Sequence, residues 1–294
     1  AWCSPGMPVA LDCLPCLLNQ GIRVARLFLE TEEDQRIFIN NLIAEIAVMD
    51  NNVSAPYIAH KIHRALKETL ENPDPYQKEK RYFNQEMLRF EDDFYALVES
   101  AANPLDIALK LAAAGNIIDY GPGYDLSRDN VLNTIKDSME KDYSPQVFLS
   151  LVSALKNADK LLYLGDNAGE IVFDKIFIRT IKECYPHLQI DFATRGEPIM
   201  NDVTEDDAYM VGMDAYATII NNGIDIPGTI LEHCSDSFVN IFNEADVIIS
   251  KGQGNFESLY GNGYNNLYYI FLCKCNHFME RFGARQNDLI LMKE

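Results

Sequence analysis

Nowhere in the 294 residues do about eighteen apolar residues run together, so the sequence offers no membrane-spanning helix. The opening Ala1-Trp2-Cys3-Ser4-Pro5-Gly6 lacks the basic start and apolar stretch of a secretion signal, and Met7 is a candidate start. Positive charge is scarce: 25 Lys and Arg against 44 Asp and Glu leave a formal net charge of −19. A surface that negative repels phosphate backbones and anionic lipid, which argues against nucleic acid and membrane as partners. An anionic substrate therefore needs local cationic help, from a metal, a lysine or a helix N-terminus. Internal repeats and low-complexity tracts are absent. Seven cysteines, an odd number in a large chain without a secretion pattern, predict free thiols in a reducing cytoplasm.

What is present is an ordinary globular composition, 48% hydrophobic and 23% charged, at a length that suits one or two domains. The pattern changes near residue 142. Before it, apolar residues recur at helical spacing over 12–30 and 34–50. Ser54 and Pro56 predict the start of a helix reaching about Leu70. After the Asn72-Pro73-Asp74-Pro75 break, one long helix is expected through Phe83, Met87, Phe90, Phe94 and Leu97, with those aromatics in the core. A further helix over 104–118 is expected to close at Gly121-Pro122-Gly123.

Beyond residue 142, apolar runs at Leu161–Leu164, Ile190–Ala193, Ala217–Ile220, Val247–Ile249 and Leu267–Leu272 alternate with helix-length segments. Leu289–Met292 is a candidate edge strand. The expected fold is α/β, a Rossmann-like, mostly parallel sheet flanked by helices, over 143–294, with an all-helical domain over 7–142.

Ligands of such sheets bind beyond the carboxyl ends of the strands. Gly165-Asp166-Asn167-Ala168-Gly169-Glu170 follows the first strand, and Arg195 through Asn201-Asp202 the second. Lys251-Gly252-Gln253-Gly254-Asn255 follows the fourth, and Lys274 lies at the end of the fifth. Carboxylate and amide oxygens suit Mg²⁺ or Mn²⁺, which clamps a phosphate, activates water and offsets charge on the leaving oxygen. Lys251 supplies a point charge in this reading, and the Gly252 and Gly254 backbone approaches the phosphate. Each piece also has a plain structural reading. Asp166, Asn167 and Asp202 could cap helices, and Lys251-Gly-Gln-Gly could be a simple strand-to-helix loop. Their coincidence at one sheet edge is what favours a site.

Taken together, these residues resemble the damage-control phosphatase family, formerly domain-of-unknown-function family 89, in its stand-alone prokaryotic branch. The matching pieces run in order from Asp12-Cys13-Leu14-Pro15-Cys16 through Ile62-His63-Arg64 and Asp74-Pro75-Tyr76 with Lys80 and Asn84. Ala114-Gly115-Asn116-Ile117-Ile118-Asp119-Tyr120-Gly121 and the rim segments above complete the set. The resemblance implies a metal-dependent hydrolase of phosphate monoesters on small metabolites, using Mn²⁺, Co²⁺, Ni²⁺ or Mg²⁺. By position, Asp166, Asn167 and Asp202 match the family's metal ligands and catalytic centre. Lys251, Gly252, Gly254, Asn255 and, less closely, Lys274 match its substrate site. Asn201, Glu170 and Asn116 are further substrate-binding candidates. Gln253 stands where many relatives carry an acidic residue.

Two other functions fit parts of the pattern. Leu161–Gly165 followed by Asp166 suits the strand-to-glycine turn of an S-adenosylmethionine-dependent carboxyl methyltransferase, although a second close glycine is missing. A non-catalytic metal- or metabolite-binding protein is the other. Cys13 and Cys16 share one helical face and could form a redox pair or, with His60 and His63, a zinc site; buried, inert thiols are the plainer expectation. Glu205-Asp206-Asp207 is expected to be a solvated helix start.

Overall fold

The strands form where apolar residues run without alternation, because a parallel strand covered on both faces has no solvent side. Val247–Lys251 and Leu267–Leu272 are buried at every position. In the computed structural model, residues 6–50, 52–117 and 128–294 are described, without the side chains of 117, 128, 129, 134 and 138. Six strands make one sheet: β1 (Lys160–Leu164), β2 (Gln189–Thr194), β3 (Thr218–Asn221), β4 (Val247–Lys251), β5 (Leu267–Leu272) and β6 (Leu289–Lys293). Their order is β3-β2-β1-β4-β5-β6, with β1 through β5 parallel and β6 antiparallel at the edge. The order reverses between β1 and β4, the place where open α/β sheets bind their ligands.

The preceding segment is helical: α1 (Cys13–Phe28), α2 (Glu32–Ala47), α3 (Ala55–Leu70), α4 (Gln77–Leu88), α5 (Glu91–Glu99), α6 (Pro104–Ala114) and α7 (Arg128–Met139). Then come α8 (Pro145–Asn157), α9 (Glu170–Cys184), α10 (Glu205–Met210), α11 (Asp236–Glu244), α12 (Gln253–Leu259) and α13 (Asn276–Phe282). The single helix expected through Leu97 is two. Glu91, Asp92 and Asp93 open α5, and acidic residues favour a first turn, so they stabilise a new N-terminus after Arg89 and Phe90. Ser54 flanks α3 as expected, but its hydroxyl caps nothing. The 104–118 helix ends at Ala114 in a short 3₁₀ turn, Gly115–Ile117; Asp119 and the Gly121-Pro122-Gly123 turn lie outside the described residues.

Packing divides the helical segment between two cores. Leu17, Val24, Phe38, Leu42, Ile58, Ile62 and Leu66 enclose one within α1–α3. Phe83, Met87, Phe90 and Phe94 instead join Leu161, Tyr163 and Phe192 of the sheet, around α9. That helix is apolar on nearly every side, with Ile171, Phe173, Phe177 and Ile181 all buried, because it lies between the sheet and α4–α6. Each such side chain contributes about 1.5–3 kcal/mol on burial. On the other sheet face, Leu162, Leu164, Tyr269 and Phe271 pack with Phe238 and Phe256. Among the described residues no helix is long and apolar enough to cross a membrane.

Candidate active site at the carboxyl edge of the sheet

Two loops distant in sequence are stitched together by their backbones. Val203 N donates to Asp166 O (2.9 Å), Ala168 N to Asn201 O (2.8 Å), and Asn167 and Asp202 form an antiparallel bridge. That pairing sets Asp166, Asn167 and Asp202 side by side. None of them caps a helix. The cap of α9 is Gly169, whose N–H donates to Asn84 Oδ1 of α4 (2.7 Å), and α10 is capped by a Thr204–Asp207 box.

The side chains form one network. Asn167 Nδ2 donates to Asp166 Oδ2 (2.7 Å) and Glu170 Oε2 (3.0 Å). Asn116 Nδ2 donates to the same two oxygens, at 3.2 and 2.7 Å. Arg195 Nε donates to Asp202 Oδ2 (2.7 Å) and its Nη1 to Asn255 Oδ1 (3.2 Å). Asn255 also accepts from Thr229 and donates to Gly165 O and Lys251 O, which ties the β1 and β4 loops together. Gly252 crosses directly over Asp166, where a Cβ would stand 2.0 Å from Oδ2. Gly254 is held as closely against Pro227 O, at 2.2 Å. Lys274 Nζ, at the surface, donates to Asn116 O (2.5 Å).

Lys251 differs from expectation. Its ammonium does not face the rim: it donates to Ala112 O (3.0 Å), Glu170 Oε1 (2.8 Å) and Asp174 Oδ1 (2.5 Å), which uses its three N–H groups. Lys251 is still inside β4, paired with Ile270, and the strand's alternation points it at α9. Asp207, expected in solvent, is buried between Asn84, Lys80 and Thr204. His60 turns to Asp225 and His63 to Gln20, away from a shared site with Cys13 and Cys16. Arg195 and Asp174 carry more of the network than the sequence suggested. Asp174 lies one helical turn after Glu170, a spacing that was legible; the link from Arg195 to Asn255 was not.

Electrostatics define what the site lacks. Burial, with Glu170 and Asp202 close by, raises the Asp166 carboxyl well above the usual range despite Arg195 and Lys251. Burial likewise raises Asp202 against the pull of Arg195, and lifts Asp174 to about 6 against Lys251. Carboxylates crowded to the point of resisting ionisation call for more positive charge than the protein supplies. Two carboxylates and an amide oxygen are hard donors and fit a divalent cation. Among the described residues no group of three or more His, Cys, Asp or Glu is arranged to hold a metal; beside Asp166 and Asp202 stands the Asn167 amide. A cavity of about 120 Å³ between α2 and α3 contains none of these residues.

Comparison with known proteins identifies the family. The sequence profile of the damage-control phosphatase ARMT1-like domain matches residues 9–290. An uncharacterized protein of Methanocaldococcus jannaschii is 33% identical, covering 96% of this chain and 94% of its own. A damage-control phosphatase of Pyrococcus horikoshii is 32% identical over 98% of both chains, and one of Archaeoglobus fulgidus is 27% identical over 97% of this chain and 98% of its own. The crystal structure of a DUF89 family protein from Pyrococcus horikoshii superposes with a TM-score of 0.88 at 26% identity, covering 98% of this chain and 99% of that one. The chain belongs to the damage-control phosphatase ARMT1-like family.

Proposed function

We propose that this protein hydrolyses phosphate monoesters of small metabolites, sugar phosphates or damaged and side-product phosphometabolites, with a divalent cation held by Asp166, Asn167 and Asp202. The observation that carries the reading is the backbone stitch between the β1 and β2 loops, which gathers those donors among buried, charge-crowded carboxylates. Relatives named as phosphatases support the same chemistry. Mn²⁺, Co²⁺, Ni²⁺ and Mg²⁺ all suit the oxygen-rich set, and the cytoplasm suits the free thiols of the six described cysteines.

When bound, the cation polarises the phosphoryl oxygens and lowers the pKa of water. The chain's own residues do the rest. Asn116 and Asn167 hold Asp166 and Glu170 in fixed rotamers through paired amide hydrogen bonds. Lys251 is a positioning residue that holds Glu170 and Asp174 in place beneath the site. Backbone at Gly252 and Gly254, with Asn255, Asn201 and Lys274, forms the walls against which the substrate seats.

The test is phosphate release from p-nitrophenyl phosphate and a sugar-phosphate panel by metal-stripped protein, with each cation added back. Restored release in the wild type, and none from an Asp166→Ala variant with an unchanged circular dichroism spectrum, is the expected result. Wild-type turnover in that variant would overturn the ligand assignment.

A further inference from the structure

An anionic substrate approaching a chain of net charge −19 needs a cation with a donor to spare. Lys251, whose position at a strand end suggested that role, has none, because two carboxylates and a carbonyl take its three N–H groups. Arg195 is different. Its guanidinium is fixed at two corners, by Nε on Asp202 and by Nη1 on Asn255, so its plane cannot swing. The third corner, Nη2, has no hydrogen-bond partner among the described residues, although Arg195 is only 2% exposed. A buried N–H without an acceptor is costly, and native structures rarely keep one without a use. Nη2 stands 3.9 Å from Asp166 Oδ1, an ion-pair distance too long for a hydrogen bond, and so lies beside a carboxylate of the proposed cation site.

We propose that Arg195 is a catalytic residue of this site, with Nη2 donating to a non-bridging oxygen of the substrate's phosphoryl group. The inference rests on the phosphatase reading for its substrate and on the observed network for its geometry. A guanidinium suits the task because it stays ionised beside carboxylates and directs its donors along fixed lines toward a tetrahedral oxyanion. Two corners hold the loops after β2 and β4 at a set separation, and the third reads the anion seated between them. Because the donor is sealed without ligand, its contact forms as the rim parts to admit the phosphate.

Calorimetry with inorganic phosphate as the probe, at saturating Mg²⁺, tests this in wild type and Arg195→Lys, alongside a separate Mg²⁺ titration. Lysine can keep one bond to Asp202 but cannot fill three corners. The expected result is a phosphate Kd weakened by about tenfold or more, with the Mg²⁺ Kd changed by less than about threefold. For any ester that is turned over, the defect appears in KM more than in kcat. Unchanged phosphate affinity, or phosphate and Mg²⁺ affinities falling together with the melting temperature, would make Arg195 a structural clamp only and overturn the proposal. Failure of the wild type to bind phosphate would overturn it too. Arg195-dependent phosphate binding by a wild type that hydrolyses no ester would uphold this inference while the phosphatase reading failed. If Arg195→Lys does not fold, the Nη resonances of the wild-type guanidinium decide the question: a shift of Arg195 on adding phosphate supports the contact, and an unmoved signal refutes it.

Discussion

At Gly252 the backbone adopts φ 82° and ψ 159°, a conformation essentially restricted to glycine, and Asp166 Oδ2 occupies the place a methyl group would take. Gly252→Ala must therefore either shift the β4 loop or displace the carboxylate. The backbone strain alone costs about 1–3 kcal/mol. Displacing a carboxylate proposed as a cation ligand by about 1 Å is enough to lose about a hundredfold in rate. A lowered melting temperature with kcat/KM reduced by about that factor is the expected outcome; a variant with wild-type kcat/KM would show that this loop does not shape the site. The glycine itself was legible in the sequence, as a point of close backbone approach, but what approaches it within this chain is Asp166. Lys251 misleads for a related reason. A lysine at a strand end looks solvent-facing, and only the packing of α9 reveals Glu170 and Asp174 beneath it.

Among the elements, α3 governs how firmly the rim is held. His60, His63 and Lys67 lie on one face of it, at spacings of three and four residues. Lys67 Nζ donates to Pro198 O (2.9 Å) and to Asp225 Oδ2 (3.0 Å), so one side chain binds the loops after both β2 and β3. Met200 in the former loop takes a left-handed φ of 48° immediately before Asn201 and Asp202. Lys67→Met removes the donor to that loop's carbonyl and to Asp225 Oδ2, leaving Asp225 with His60 alone. Faster amide hydrogen exchange over 196–202 and divalent-cation affinity weakened by about tenfold are expected, with recovery in Lys67→Arg. Unaltered exchange in Lys67→Met would detach α3 from the site. All six strands were legible from their apolar runs, and most helix starts from proline or acidic residues. The split between α4 and α5 was missed although Glu91-Asp92-Asp93 marks it, because the apolar spacing runs on from Phe83 to Leu97 without a proline or glycine. The proposed division at residue 142 follows the change in secondary structure, whereas packing links Phe83, Phe90 and Phe94 to the sheet.

For the molecule as a whole, the strand order was beyond the sequence, since crossovers leave no local signal, while the charge of −19 was plain from counting. Less visible were two buried groups that set the pH dependence of folding in opposite senses. Burial, with Lys67 and Arg23 nearby, depresses His63 from 6.5 to about 3, and its Nδ1 has no partner among the described residues. The unfolded chain protonates this histidine below pH 6.5 and the folded chain does not, so stability falls as pH drops from 6.5 toward 3. Burial raises Glu257 from 4.5 to about 7, against the hydrogen bond from Gln253. Here the folded chain keeps a proton that the unfolded chain releases, so stability falls as pH climbs from 4.5 toward 7. Between about pH 4.5 and 6.5 the two slopes, each near 1.4 kcal/mol per pH unit at most, cancel. Single variants remove one slope and uncover the other. Urea unfolding across that window should show His63→Gln losing stability with rising pH relative to wild type, and Glu257→Gln gaining it. The remaining titrating groups contribute equally to all three proteins, so the comparison isolates the pair. Parallel curves for the three would mean that neither group is held in its neutral form by the fold.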